Sequence, residues 1–176
     1  LPMLYKTACE KLADTKAVIL AGNHDFSRCP LASRLSPALW PVAGCPAMKR
    51  LLRHLARQGI GKAVIFSNGN ISPLQKIVES IDSIQIALLK ESLPLGTAGC
   101  VRLAAGHDQN SLILLLSAGI TSLPDLHVLV QDHLSSGSDL TVVLEPDPQS
   151  NLIWYASEIY LFEPATVEYI PKQGYY

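Results

Sequence analysis

A chain of 176 residues with 48% hydrophobic and 16% charged content suits one domain with a substantial core and excludes an intrinsically disordered class. Fourteen Lys and Arg against 15 Asp and Glu leave a net charge of −1, so no global field favours nucleic acid or an anionic membrane. Cys9, Cys29, Cys45 and Cys100 show neither C-x-x-C spacing nor a histidine cluster, which argues against a zinc site and a disulfide framework and fits a reducing cytoplasm.

The apolar run at 17–21 (AVILA), stopped by Gly22, predicts a buried strand. Over 47–58, Met48, Leu51, Leu52 and Leu55 share one face while Lys49, Arg50, Arg53 and Arg57 occupy the others. That period predicts an amphipathic helix ended by Gly59, its basic side a solvated face. A strand at 63–66, a polar turn at 67–70, a helix over about 72–80 and a strand at 84–89 follow. Between that strand and a helix at 97–105 lies Leu93-Pro94-Leu95-Gly96-Thr97-Ala98-Gly99. Glycines on both sides of Thr97 allow a close backbone approach to a flat ligand, with free helix-start N–H groups to meet it. The plainer alternative is a tight strand-to-helix turn with Thr97 as N-cap. Further on come a strand at 112–116, a helix at 124–134 and a strand at 140–144. A turn at 147–151, an added strand at 159–162 and a short helix at 164–169 complete the tail.

Strand and helix in alternation predict right-handed crossovers and a mostly parallel sheet covered on both faces, a three-layer α/β/α Rossmann-like domain. Ligands of such folds bind beyond the carboxyl ends of the strands, here at the segments starting with Gly22, Ser67, Lys90, Ser117 and Glu145. The whole of 1–176 is expected to be a single domain with core 16–145 and a shortened tail 146–176. Leu1 in place of an initiating Met, and the end at Tyr176, are expected to mark a fragment of a longer chain. No apolar run reaches membrane-spanning length and no signal-peptide pattern opens the sequence.

Several passages together carry a resemblance that covers most of the chain. They are the first strand with its turn, Pro41-Val42-Ala43-Gly44-Cys45-Pro46 before a helix, Gln58-Gly59-Ile60 after it, and 94–99. To these adds His133-Leu134-Ser135-Ser136-Gly137-Ser138-Asp139-Leu140-Thr141-Val142-Val143. Residues from about 16 to 145 resemble the sugar-1-phosphate nucleotidyltransferases, which join a sugar 1-phosphate to a nucleoside triphosphate and release pyrophosphate. The resemblance implies their nucleotide-diphospho-sugar transferase fold, with a nucleoside or NDP-sugar as ligand.

The family's loop A-G-G-x-G-T-R-L-x-P-L-T, whose glycine amides and arginine hold the triphosphate, aligns without a gap from Ala21. Here Asn23 and Asp25 replace glycines, Phe26 the threonine and Ser27 the arginine, with Arg28 one position late. A β-carbon restricts close approach, and Asp25 adds negative charge where a triphosphate would lie. The family's P-K-A-L-L-P-V is met by Ser36-Pro37-Ala38-Leu39-Trp40-Pro41-Val42, so Pro37 stands at the phosphate-neutralising lysine. Its L-N-G-D, which ligates Mg²⁺, is met by Leu116-Ser117-Ala118-Gly119. After Glu145 the chain passes quickly to Glu158-Ile159-Tyr160-Leu161-Phe162, similar to the family's G-I-Y-V-F strand.

Nucleotidyl transfer depends on positioned positive charge and metal, so these replacements predict a domain without catalytic residues, resident metal or cofactor. It would bind a nucleoside or NDP-sugar through Gly22, Asn23, His24, Gly96, Thr97 and Gly99, and act in regulation or assembly with a protein partner or additional domain. The alternatives are an active enzyme with rearranged chemistry, using His24, Arg28 or Glu145 and requiring Mg²⁺, and a purely structural domain of a larger polysaccharide-biosynthesis protein. His24, Asp25 and Glu145 as a new acid/base or metal site, and Cys29 with Arg34 as a phosphatase-like loop, are disfavoured by geometry and spacing. His54, His107, His127 and His133 read as solvated or half-buried structural residues, and Trp40, Trp154, Tyr175 and Tyr176 either as surface anchors exposed by fragmentation or as an interface with a missing partner.

Overall fold

The computed structural model describes residues 2–22, 35–91, 95–106, 108, 110–147 and 149–171. Helix α1 (Pro2–Asp14) leads into strand β1 (Lys16–Leu20), and a 3-10 turn (Pro37–Leu39) precedes the short hairpin β2 (Pro41–Val42) and β3 (Cys45–Pro46). Helix α2 (Ala47–Arg57), β4 (Lys62–Ser67), α3 (Ser72–Val78), β5 (Gln85–Lys90), α4 (Gly96–Ala105), β6 (Ile113–Ser117) and α5 (Leu126–Ser136) follow in alternation. The chain then leaves the alternating pattern for a hairpin, β7 (Leu140–Asp147) and β8 (Ser150–Phe162), and a 3-10 turn (Pro164–Tyr169).

The main sheet has the order β5-β4-β1-β6-β8-β7. β1 pairs in parallel with β4 and β6, and β4 with β5. β8 alone runs against its neighbours, antiparallel to both β6 and β7. A mostly parallel, three-layer α/β domain is therefore what the chain forms. In β1, Ala17, Val18 and Ile19 are fully buried, because a central parallel strand is covered on both faces.

The two covers are unequal. Ala8 and Leu12 of α1, Met48, Leu52 and Leu55 of α2, Leu74 of α3 and Leu126 and Val130 of α5 pack on one face around Ile19, Ile65 and Leu114. The other face, around Val18, Phe66 and Leu115, is packed among the described residues by Leu95, by Cys100, Val101, Ala104 and Ala105 of α4, and by Val167 and Ile170 of the tail. α2 buries the apolar stripe read in the sequence, Met48, Leu51, Leu52 and Leu55, and leaves Arg50, Arg53 and Arg57 exposed. Each such leucine removed from water contributes about 2 kcal/mol. At the start of α5, Asp125 accepts hydrogen bonds from the N–H groups of His127 and Val128 at 2.9 and 3.3 Å, satisfying donors that the helix cannot.

Two expectations about the tail need correction. The turn expected at 147–151 is shorter, since β8 begins at Ser150; Asp147 Oδ1 accepts the Gln149 N–H at 2.8 Å, and this side-chain turn reverses the chain within two residues. The added strand expected at 159–162 is only the last part of a 13-residue strand. Its first part pairs with β7 alone, since the pairing with β6 ends at Leu116↔Ile159. It is therefore a two-stranded ribbon with Leu152, Ile153, Trp154 and Tyr155 exposed. Among the described residues no helix is long and apolar enough to cross a membrane.

Candidate functional site

Because β1, β4, β5, β6 and β7 point the same way, their carboxyl ends share one edge of the sheet, the edge where such folds bind ligands. A cleft of about 310 Å³ opens there beside α4. Leu20 at the end of β1, Leu115 of β6 and Phe162 of β8 line its apolar part, and Thr97, Ser117, Glu158 and Tyr160 its polar part. Among the described residues α4 is the α-helix on that face, and the hairpin beside it keeps Leu140, Val142 and Leu144 exposed.

The turn into α4 is built by a residue absent from the sequence reading. Glu91 Oε1 accepts the Leu95 N–H at 3.2 Å and the Cys100 S–H at 3.4 Å, tying the end of β5 to the first turns of α4. Burial, then the Glu91 charge and its hydrogen bond, push the Cys100 thiol up to about 12, so it stays a protonated donor at neutral pH. Gly96 has φ +70, a left-handed conformation that glycine adopts without strain. A β-carbon on Gly99 would lie 3.0 Å from Leu95 Cβ; the small residue lets the helix start close over that side chain. Thr97 is not the N-cap considered above. The helix begins at Gly96, with Leu95 in the cap position and no side-chain capping bond, and Thr97 is exposed at the cleft.

Of the other proposed contacts, Gly22 lies at the end of β1, where an added β-carbon would meet the Asn68 amide at 3.4 Å. It does not line the cleft beside Thr97. Asn23 and His24 fall outside the described residues, as do Asp25, Phe26, Ser27, Arg28, Cys29, Arg34, His107, Tyr175 and Tyr176. A second cleft of about 300 Å³ lies across the strand ends, between Ser36, Leu39, Ser67, Asn70 and Pro73. Its wall is the segment bearing Pro37, and Ser36 Oγ donates to the Ala21 carbonyl at 3.4 Å.

At the end of β6, Ser117 Oγ accepts the Gly119 N–H at 3.4 Å, and this turn holds no carboxylate. A hydroxyl and backbone groups do not fit Mg²⁺, which requires carboxylate or phosphate oxygens around it. Among the described residues no group of three His, Cys, Asp or Glu side chains could hold a metal ion. Glu145 lies on the hairpin opposite Tyr155, exposed and away from both clefts.

His133 is fully buried, more so than the half-buried role expected of it. Its Nδ1 lies 2.7 Å from Thr141 Oγ1 and its Nε2 3.5 Å from Glu163, which joins α5 to β7 and the tail. His127 lies between α5 and α1, its Nδ1 3.6 Å from Cys9 Sγ, and His54 is exposed on α2. Trp40 donates its indole N–H to the Leu35 carbonyl at 2.9 Å and so braces its own loop, whereas Trp154 is 57% exposed.

Comparison with known proteins bears on the family and the fold. The model of the Nucleotidyl transferase family matches residues 16–155. A mannose-1-phosphate guanylyltransferase of Mycobacterium tuberculosis is 29% identical over 132 residues, 73% of this chain and 36% of that protein. A D-glycero-alpha-D-manno-heptose 1-phosphate guanylyltransferase of Aneurinibacillus thermoaerophilus is 24% identical over 132 residues, 74% of this chain and 57% of that protein. The chain thus spans between about a third and somewhat over half the length of these relatives. Among solved structures, HddC from Yersinia pseudotuberculosis superposes with a TM-score of 0.70 at 17% identity, covering 89% of this chain and 80% of that one. A putative glucose-1-phosphate thymidylyltransferase from Bacillus anthracis, in complex with a sucrose, gives a TM-score of 0.73 at 17% identity, covering 91% and 76%. With a family model matched over most of its length, the chain belongs to the nucleotidyl transferase family and is related to the sugar-1-phosphate nucleotidyltransferases.

Proposed function

We propose that this domain binds a nucleotide-sugar at the carboxyl edge of its sheet without transferring a nucleotidyl group, and that it acts in regulation or assembly. The observation that carries this reading is the contrast along that edge. A cleft stays open against Thr97, while Pro37 and Gly119 stand where the family's lysine and metal-binding carboxylate would be. Transfer of a nucleotidyl group needs positive charge or Mg²⁺ on the phosphates. Each missing element costs orders of magnitude in rate, so binding outlasts catalysis as the family's motifs change. Gly22, Gly96, Thr97 and Gly99, with Asn23 and His24, are the proposed contacts, and no resident cofactor is required.

Two measurements on the same preparation test this. Pyrophosphate release is followed with nucleoside triphosphates, mannose 1-phosphate or glucose 1-phosphate, and Mg²⁺; none above background is expected. Calorimetric titration with GDP-mannose and related NDP-sugars is expected to show binding without Mg²⁺. Turnover would establish the enzyme with rearranged residues, and absence of heat with every NDP-sugar would leave a structural domain.

A further inference from the structure

Charge is divided along the sheet. Residues 1–102 hold 13 of the 14 Lys and Arg and six Asp and Glu, whereas residues 103–171 hold nine Asp and Glu and no Lys or Arg. In the order β5-β4-β1-β6-β8-β7 the first three strands belong to the former stretch and the last three to the latter. Helix α1, which packs on α5, is neutral, with Lys6 and Lys11 against Glu10 and Asp14. A net charge of −1 thus conceals a molecule that is basic towards one edge of its sheet and acidic towards the other.

Each end concentrates its charge on one surface. Helix α2 carries Lys49, Arg50, Arg53 and Arg57 and no acidic residue, and the three arginines are exposed. Among the described residues none of the three has an ion-pair partner. At the far end of the ribbon Glu145 stands opposite Tyr155, whose hydroxyl donates to Asp147 Oδ2 at 3.3 Å. Tyr155 and Ile153 beside it are 56% and 46% exposed. The base of this ribbon is irregular: Val142 pairs with Tyr160 but Leu144 with Ala156, and Ser157 Oγ donates to the Val143 carbonyl at 2.9 Å. Within this bulge Glu158 has φ +61, a left-handed conformation that residues with a β-carbon occupy at a cost. Bulges bend and twist a strand, so this one sets the direction in which the ribbon end points.

The two surfaces match in chemistry and in orientation. Guanidinium groups pair with carboxylates in a fork and stack on aromatic rings, and their stems cover apolar side chains. The arginines of α2 therefore suit a patch of Glu145, Asp147, Tyr155 and Ile153. Helix α2 packs on the same core as Val143, and by the two-residue alternation of a strand Glu145 looks out on that side as well. One contact is small, since an 11-residue helix is about 16 Å long and a stable interface takes roughly 800 Å² from each partner. A two-fold axis doubles it, seating each copy's α2 on the other copy's ribbon.

We propose that this chain pairs with a second copy of itself through two such contacts, arginine face of α2 on the acidic, aromatic ribbon end. The pairing gives content to the assembly role above. It does not depend on ligand, because the cleft beside α4 lies on the opposite face of the sheet.

The test is sedimentation of the 176-residue chain, without ligand, at about 0.05 M and about 0.5 M NaCl. A dimer is expected at low salt, its dissociation constant rising about tenfold or more at high salt. Two variants reverse one surface each: Arg50→Glu/Arg53→Glu/Arg57→Glu on α2, and Glu145→Lys/Asp147→Asn on the ribbon. Asn at 147 keeps an oxygen for the Gln149 N–H. Each variant alone is expected to be monomeric, since like charges then face each other. An equimolar mixture is expected to form heterodimers, because both contacts are complementary again, and misfolded variants could not regain pairing in this way. A monomeric wild type at low salt, a dimer indifferent to salt or to either variant, open-ended assemblies, or no pairing in the mixture would overturn the proposal. A monomeric wild type that still binds GDP-mannose would remove the pair and leave the nucleotide-sugar reading standing.

Discussion

In the parallel half of the sheet Ala17, Val18 and Ile19 of β1 are fully buried, whereas in the hairpin half Leu152 is 92% and Trp154 57% exposed. Both halves are rich in apolar and β-branched residues, so composition alone does not separate them. What separates them is cover. Among the described residues four helices lie on one face of the parallel strands and α4 on the other, while the ribbon extends past β6 with none of them on it. The closed half supplies stability and the open half leaves room for a ligand at the border, where Glu158 sits.

The largest expected contrast comes from truncating a leucine in each half. Leu52 of α2 is fully buried against the sheet, and Leu52→Ala is expected to cost about 3 kcal/mol in urea denaturation. Leu152→Ala on the ribbon is expected to change stability by no more than about 0.5 kcal/mol. Similar losses at both positions would mean that the ribbon is covered in solution.

At the border, removing Glu91 takes away the acceptor for the Leu95 N–H and the Cys100 thiol. Glu91→Ala is expected to destabilise by about 1.5 kcal/mol and to speed alkylation of Cys100 at mildly alkaline pH, read by mass spectrometry of the modified peptide. A stability loss with unchanged Cys100 reactivity would show that Glu91 supports the turn without restraining the thiol.

Glu158→Gly sharpens the comparison in the opposite direction. Relief of the left-handed backbone outweighs the added flexibility of the unfolded chain, for a net gain of about 1 kcal/mol. A higher urea midpoint would establish the strain, and a loss would show that the side chain is stabilising in place.

The smallest effect concerns the closed half at its other edge. Asp108 follows α4 and accepts from Ser111 Oγ at 2.7 Å and from the Asn110 N–H at 3.1 Å, with Lys16 3.5 Å away. Those hydrogen bonds, the Ser111 one first, lower its pKa to about 2. The charged form is thus favoured on folding, so its contribution is present above about pH 4 and lost as pH falls towards 2. Solvent screening at this partly exposed carboxylate holds the effect to about 1 kcal/mol or less. Asp108→Asn is expected to flatten that part of the acid unfolding curve and leave the rest unchanged.

The sequence by itself determined the parallel core. Continuous apolar runs such as AVIL and ILLL mark strands covered on both faces, and the stripe of Met48, Leu51, Leu52 and Leu55 marks a helix, signals that depend on near neighbours alone. Helix α1 escaped that reading: among its described side chains Ala8 and Leu12 face the core, a pair too short to register as a period. Pro37 and Gly119 were legible as departures from the pattern the chain resembles, since a residue type needs no coordinates to be read. Tertiary structure decided the rest. The length of β8 and the bare face of the hairpin depend on which strands run beside it, and Glu91 reaches Leu95 and Cys100 only once β5 and α4 are docked. Glu158 was visible as a glutamate within a G-I-Y-V-F-like strand. That its backbone is left-handed and its side chain lines a cleft with Thr97 and Ser117 depends on contacts between residues far apart in the chain, which local sequence patterns do not encode.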